Sequence, residues 1–473
     1  MKLYNTLSRN VEIIEQIQQN QITIYTCGPT VYDYPHIGNW FTFIRYDMLV
    51  RTLIASGKNP IWVMNITDVG HLVSDADEGE DKLEKGARRE GKTAWDIAEF
   101  YSNYFIKGLK RLNISQPTYL PKATEHIAEQ IDLIKNLEKK GYTYTINDGV
   151  YYDTSKFEGY AAFARLDLDD LQAGARVEHN PEKRHASDFA LWKLSPKDQD
   201  KKRDMEWDSP WGKGFPGWHI ECSAMAMKYL GETIDIHSGG IDHVPVHHTN
   251  EIAQSEAVTG KRFANYWMHT NHITINNEKI SKSLGNTITL EDIENQGFDL
   301  KVLRLHVLES HYRSQSKFSW ESLLSAKNRL ANIQEFADLR FQGDPDATTI
   351  GDEYFVKQKD LILEALNDDL NTPVALRILS ETMNWIAKNG LHTRYTEGNS
   401  QDFYHFIVFL DEVFGLGLLE SKDITEAQRA LLDERDIARH KGEWTTSDTI
   451  RDQLKEQGIG LRDKPLKSIW YRL

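Results

Sequence analysis

One strand–turn–helix–strand unit near the start of the chain constrains the fold more than any other feature. Residues 22–26 form a short β-branched and aromatic run, and CGPTVYDYPHIGN (27–39) is rich in turn formers. Residues 40–56 carry helical periodicity stopped by Gly57, and residues 61–66 are a second strand. Such a βαβ unit joins two parallel strands and aims its helix N-terminus at the carboxyl end of the sheet, where nucleotides bind. The expected fold class is therefore α/β and Rossmann-like.

A chain of 473 residues exceeds the roughly 100–200 residues of one domain. Residues 75–92, acidic in DADEGED and basic in ARREGK, predict an exposed loop with a helical turn, and a helix is expected over 94–112. Between 121 and 211 the pattern changes to a helix (125–140), a hairpin at Asn147-Asp148-Gly149 and irregular charged sequence. That segment reads as an insertion between two halves of one sheet. Strand and helix signals resume at 233–237, 251–259 and 272–275. Beyond about residue 300 the β signal disappears: after Thr372-Pro373, residues Leu376, Leu379, Met383 and Ile386 repeat at three and four, with Gly390 as a cap. Helices are expected at 426–441 and 446–457, followed by a tail, GIGLRDKPLKSIWYRL. The last twenty residues are locally positive, with Lys455, Arg462, Lys464, Lys467 and Arg472 against Glu456 and Asp463. The expected division is a catalytic body in two halves (1–120 and 212–300), an α+β connective insertion (121–211), a helical bundle (301–420) and a small C-terminal domain (421–473).

Charge narrows the function. Lys and Arg total 56 against 71 Asp and Glu, a net charge of −15, which disfavours indiscriminate binding to nucleic acid or anionic membrane but permits a local basic face. The most apolar stretch, 403–419, is broken by Asp411 and Glu412, and the start MKLYNTLSRNVEII has no apolar export core, so a cytoplasmic protein without membrane contact is expected. The two cysteines, Cys27 and Cys222, are either buried apolar residues or metal ligands.

Two short motifs carry chemistry. His36-Ile37-Gly38-Asn39 sits where the first turn becomes a helix; Gly lets a nucleotide approach the backbone and the imidazole donates to phosphate oxygens. Taken alone, it reads equally well as a histidine capping a helix. Lys279-Ile280-Ser281-Lys282-Ser283 places two ammonium groups on a polar loop, suited to closing over a triphosphate and neutralising departing pyrophosphate. Alone, it is more ordinarily a solvated face.

Together HIGN and KISKS resemble the paired signatures of class I aminoacyl-tRNA synthetases. The blocks CGPTVYDYPHIGN, PGWHIECSAMAM (216–227), GGIDH (239–243) and HHTNEIAQSEA (247–257) resemble those of cysteinyl-tRNA synthetases in particular. LQAGARVE (171–178), NYWMH (265–269), SHYRS (310–314) and LNDDLNTPVALRIL (366–379) extend the resemblance over nearly the whole chain. It implies ATP-dependent ligation of L-cysteine to tRNA(Cys) through cysteinyl adenylate, with one Zn²⁺ per chain holding the substrate thiolate and Mg²⁺ accompanying ATP; a monomer is expected, although the sequence does not fix the oligomeric state. It assigns catalysis to His36, Lys279 and Lys282, and ATP binding to His36, Gly38, Asn39, Gly239, Gly240, Asp242 and Lys282. Substrate contacts fall to Thr30, Trp218 and His219, with adenine packing near Trp267, Met268 and His269. The bundle after residue 300 would contact the tRNA stem, and the C-terminal portion the anticodon.

The same residues read as a metal site on their own chemistry. Cys27 ends the first strand, and Glu251 follows His247 at i+4 on one helix face, so Cys27, Cys222, His247 and Glu251 offer two sulfurs, a nitrogen and an oxygen, a set suited to Zn²⁺. His248 is the weaker ligand candidate, one step around the helix, with contact to the nucleotide or support of the metal ligands from behind as its alternatives. Three other functions account for parts of the sequence. A cysteine ligase acting on an aminosugar would not need the helical C-terminal region. A zinc hydrolase on His247, His248 and Glu251 lacks HExxH, and residue 252 is Ile where the inverted motif needs His. A non-catalytic tRNA-binding paralogue would not need intact HIGN and KISKS. Two departures from the family pattern stand out: Asn39 in the fourth position of the HIGH-type motif, and the long loop VGHLVSDADEGEDK after Asp68.

Overall fold

The computed structural model describes residues 1–70, 81–165, 180–196, 203–275, 278–280, 286–342, 353–389, 400–464 and 467–473. Lys282 and the LQAGARVE block lie outside them, as do residues 75–80 and Gly390. Two compact units are formed. The first comprises Met1–Leu300, Ser310–Ser319 and Leu366–Asn371, the second Lys301–Glu309, Trp320–Ala365 and Thr372–Leu473.

The first unit opens with an antiparallel hairpin, β1 (Lys2–Asn5) and β2 (Asn10–Ile13). Then follow β3 (Gln21–Thr26), α1 (Ile37–Ala55) and β4 (Asn59–Met64), and after them α2 (Lys82–Glu90), α3 (Ala94–Arg111) and α4 (Ile127–Lys139). Where an exposed loop with one helical turn was expected, residues 82–90 form a nine-residue helix: Asp81 caps it, accepting from Leu83 N and Glu84 N, and Gly91 ends it in the left-handed region. The helix forms because those caps satisfy both ends, a signal outweighed in the sequence by its charge.

The connective region contributes an antiparallel sheet of β5 (Thr143–Ile146), β6 (Gly149–Tyr152), β7 (Phe189–Leu194) and β8 (Gly214–Pro216). The body resumes with α5 (Trp218–Leu230), β9 (Ile234–Gly240), a π-helical turn at Val244–His248 that runs into α6 (Thr249–Thr259), and β10 (Ala264–Thr270). Two strands from each side of the insertion close one parallel sheet in the order β10-β9-β3-β4. Its strands are buried along nearly their whole length because both faces are covered. Beyond it lie β11 (Ile273–Ile275), β12 (Glu278–Lys279) and β13 (Ser316–Phe318), in the order β12-β11-β13.

In the second unit helices dominate, including Trp320–Asp338, Thr372–Asn389, Ser400–Phe414, Glu426–Lys441 and Trp444–Glu456. The β signal does not vanish after residue 300. Besides β13, the C-terminal tail folds as an antiparallel hairpin, β14 (Ile459–Asp463) and β15 (Ser468–Arg472). Trp470 and Ile459 pack there with Leu432, Ile450 and Leu454, so the tail is held by its own small core, which its charges obscured.

Candidate active site and metal centre

The carboxyl ends of β3 and β9 deliver the site. Cys27 follows β3 directly, its amide donating to Ser238 O on β9, so a strand-end position fixes the first sulfur. Cys222 comes from α5, and the π-turn leading into α6 brings His247 and Glu251 alongside; a π-turn is a frequent device for aiming functional side chains. One ligand atom from each of Cys27, Cys222, His247 and Glu251 falls within 4.8 Å of the others, and all four residues are buried. Buried charges survive only when paired or bound to metal, and two sulfurs, an imidazole and a carboxylate fit Zn²⁺ or another borderline-soft ion. A second set of the same compactness, Cys27, His237, His248 and Glu251, shares two of these ligands.

Hydrogen bonds bind the cluster into a network. Glu251 Oε1 lies 2.6 Å from His247 Nε2, and its Oε2 lies 2.5 Å from His237 Nε2. Although burial opposes it, these two imidazoles hold the Glu251 carboxyl well below the usual carboxylate range. The hydrogen bond from Cys27 lowers the Cys222 thiol to about 7, whereas burial and the Cys222 contact push Cys27 up. Against burial, the Glu251 charge and the Cys222 contact raise His247 to about 10. On the other side, Thr6 Oγ1, His269, His248 and Cys27 Sγ form a chain with separations of 2.7, 2.7 and 3.3 Å. Burial drives His248 and His269 well below the usual imidazole value, which favours their neutral forms.

A cavity of about 430 Å³ opens beside the cluster, lined by Cys27, Cys222 and His247 at one end and by His36 and Asn39 at the other. Thr30, Trp218, Gly240 and Asp242 also line it. His36 is the N-cap of α1, and Asn39 Oδ1 accepts from His36 N at 3.1 Å, closing a capping box. Asn39, the departure noted in the motif, thus completes the helix start that faces the cavity. A Cβ on Gly38 would come within 2.9 Å of the His36 ring and 3.2 Å of Ile280 Cδ1, so a side chain there would displace the His36 ring. Ile37 N donates to Ile288 O at 2.8 Å, which pins the chain just beyond the KISKS segment to the HIGN helix. Lys279 ends β12, and Ile280 reaches the cavity wall.

Other expected residues sit elsewhere. His219 is buried behind His247, its Nδ1 3.0 Å from His247 Nδ1, rather than on the cavity wall. Gly239 is steric: a Cβ would approach His248 Cε1 to 2.5 Å. Trp267, Met268 and His269, expected near adenine, are buried away from the cavity lining, and Trp267 stacks on His237 with centroids 4.6 Å apart. Three residues went unnoticed in the sequence. His237 orients Glu251. Tyr46 lines the cavity from α1, its hydroxyl pushed up by burial. Arg45 is a buried guanidinium that donates to Asn271 O, Ser310 Oγ and Ser316 Oγ with no carboxylate among these partners. A histidine inside a β-strand and an arginine inside an apolar helix face were the signals available.

A family model described as the tRNA synthetases class I (C) catalytic domain matches residues 13–328. The chain belongs to the cysteine–tRNA ligase family. Models of a DALR domain and of a cysteinyl-tRNA ligase anticodon binding domain match residues 362–419 and 421–472. A cysteine–tRNA ligase of Treponema denticola is 43% identical over 100% of both chains, one of Burkholderia lata is 45% identical over 98% of this chain and 95% of its own, and one of Thermococcus onnurineus is 37% identical over 100% and 99%. Two structures of Mycobacterium tuberculosis methionyl-tRNA synthetase with methionyl-adenylate share the fold at TM-scores of 0.56 and 0.59. They are 14% and 13% identical, covering 85% and 86% of this chain and 91% and 95% of theirs. The family thus places a Rossmann-like class I catalytic domain ahead of helical and anticodon-binding regions.

Proposed function

We propose that this enzyme condenses L-cysteine with ATP to give cysteinyl adenylate and pyrophosphate, then passes the cysteinyl group to the terminal adenosine of tRNA(Cys). The observation that carries this reading is a single cavity joining a Cys27/Cys222/His247/Glu251 donor set to the HIGN start of α1. Cys27, Cys222, His247 and Glu251 would hold one Zn²⁺, which, when bound, supplies a Lewis acid that keeps the substrate thiol deprotonated.

The protein's own groups do the rest by position. Trp218, stacked against His247 with centroids 4.4 Å apart, and Thr30 wall the amino-acid end. Asp242 holds the ribose or ammonium group. His36 and the α1 N-terminus receive phosphate oxygens, and Lys279 and Lys282 neutralise charge moving onto pyrophosphate, with Mg²⁺ accompanying ATP. Residues 1–120 and 212–300 carry this chemistry around the 121–211 insertion. The bundle at 301–420 contacts the tRNA stem and residues 421–473 the anticodon, where Trp444, 65% exposed, offers a stacking face. No helix among the described residues is long and apolar enough to cross a membrane; we assign the enzyme to the cytoplasm, as a monomer.

Cysteine-dependent exchange between pyrophosphate and ATP, followed by acceptor testing, examines the whole reading. Exchange that ignores cysteine would overturn the substrate, and transfer to an aminosugar in place of tRNA would overturn the acceptor.

A further inference from the structure

The basic ARREGK segment has no part in the chemistry above, yet it lies beside the cavity mouth. Its residues close α2 with Arg88 and Arg89 in the last turn, turn at Gly91, and lead into α3 through a Thr93–Asp96 capping box. Both helix ends are capped, so the segment is a rigid corner.

Aromatic rings occupy that corner. Tyr34 lines the cavity and is 41% exposed; its ring meets Phe100, Tyr101 and Tyr104 of α3 edge-on, with centroids 6.2, 5.1 and 4.8 Å away. Phe100 is 44% exposed, and Lys92 Nζ sits 5.3 Å over its ring. Glu90 ties the cations to the rings: it pairs with Arg89 and Lys92, each at 3.1 Å, and accepts from Tyr101 Oη at 3.3 Å. Tyr104 is held from the other side by Glu291, which also pairs with Arg111 at 2.7 Å. Leaving aromatic faces in water beside a reaction site forgoes burial that the fold elsewhere takes, and Lys92 keeps positive charge directly over one of them.

We propose that this corner, built from Phe100, Lys92 and Arg89 beside Tyr34, is the landing surface for the unpaired 3′ nucleotides of the tRNA acceptor end. The inference rests on the tRNA-ligase reading and names where that substrate enters. Three observations select single-stranded nucleic acid as the occupant. The surface is continuous with the cavity through Tyr34, so whatever lies on it leads to the reacting carbonyl. Exposed rings suit the π-face of any base, and bases stack on them without sequence demand. Arg89 and Lys92, both bridged to Glu90, put two cations on this face of a chain whose net charge of −15 otherwise repels phosphates.

The test uses the full-length protein with Phe100→Ala, Phe100→Trp and Lys92→Ala. Cysteine-dependent pyrophosphate exchange should stay within twofold of the parent in all three. Phe100→Ala should raise the KM for tRNA in charging by roughly tenfold, the loss of about one base–aromatic stack, and Phe100→Trp should restore it. Lys92→Ala should raise it less, by a factor that shrinks at higher salt. Binding of tRNA lacking its unpaired 3′ nucleotides should be the same for parent and variants. An unchanged KM in Phe100→Ala overturns the proposal, as does an equal loss with the shortened tRNA, which would place the contact on the stem. Loss of exchange in Phe100→Ala would mean the ring supports the catalytic body, also overturning it. If the parent fails to exchange with cysteine, the functional reading itself falls, a result distinct from all of these.

Discussion

Nε2 of His237 sits 2.5 Å from Oε2 of Glu251, with both side chains wholly buried. One carboxylate oxygen is therefore held from β9, leaving the other toward His247 and the two sulfurs. Partners of this kind orient metal ligands, and their loss typically costs about 10- to 100-fold in metal affinity. His237→Asn should lower zinc affinity by that range in a chelator competition, with the fold intact by circular dichroism. Unchanged affinity would show that the carboxylate is oriented without His237.

Replacing Cys222 separates the two overlapping donor sets, since only the first contains it. Cys222→Ser should strip the metal and cysteine activation together, read by metal analysis and pyrophosphate exchange on one preparation. Retention of a stoichiometric metal would instead favour Cys27, His237, His248 and Glu251. Removing metal from the parent with a chelator should abolish exchange, and added Zn²⁺ should restore it; full activity without metal would sink the zinc assignment altogether.

Charge moves onto pyrophosphate only during reaction, so the KISKS lysines should act on the transition state more than on bound ATP. Lys282→Ala should lower the activation rate at least tenfold while changing ATP affinity much less. A loss seen wholly as weaker ATP binding would reassign the lysine to uniform binding.

These sites show how unevenly the sequence disclosed the structure. The β3–α1–β4 unit was legible from its strand, turn and helix signals, and the β5–β6 hairpin from Asn-Asp-Gly, whereas β10 gave no signal because polar residues interrupt ANYWMHT. The His247/Glu251 pair was legible because helical spacing alone places i and i+4 together. His219 and Gly239 were placed in the right neighbourhood, but whether each reaches the cavity or backs another residue depends on packing between α5, α6 and β9. The hairpin at Ile459–Asp463 and Ser468–Arg472 was hidden because its outward charges dominate a short segment whose inward Ile459 and Trp470 are few. Arg45 was hidden because its partners lie more than 200 residues away.

Arg45 carries its own prediction. A fully buried guanidinium is costly unless its donors are used, and here its two terminal nitrogens join α1 to Asn271, before β11, and to Ser316 on β13, which pairs with β11. The KISKS segment leaves this small sheet through β12. Arg45→Met removes the donors while keeping much of the stem, leaving buried acceptors unmet at a cost of about 1–3 kcal/mol. Urea unfolding should show a loss of that size, and the activation rate should fall with little change in cysteine KM. A parent-like midpoint and rate would show that the clamp is dispensable.

Selection against serine should occur at the metal. Apolar pockets separate substrates that differ by one methylene by only about 1–3 kcal/mol, and serine differs from cysteine by a single atom, oxygen in place of sulfur. A thiolate is a soft, strong ligand for a site already containing Cys27 and Cys222, whereas an alcohol of high pKa must lose a proton to compete and still binds as a hard oxygen. The difference is one of bond chemistry rather than of fit, so it acts before any product forms. Serine-dependent pyrophosphate exchange should therefore be at least 10³-fold below that with cysteine, and seryl-tRNA presented to the enzyme should not be hydrolysed above background. Efficient serine activation coupled to rapid deacylation would place selectivity in editing and remove the metal from the discrimination.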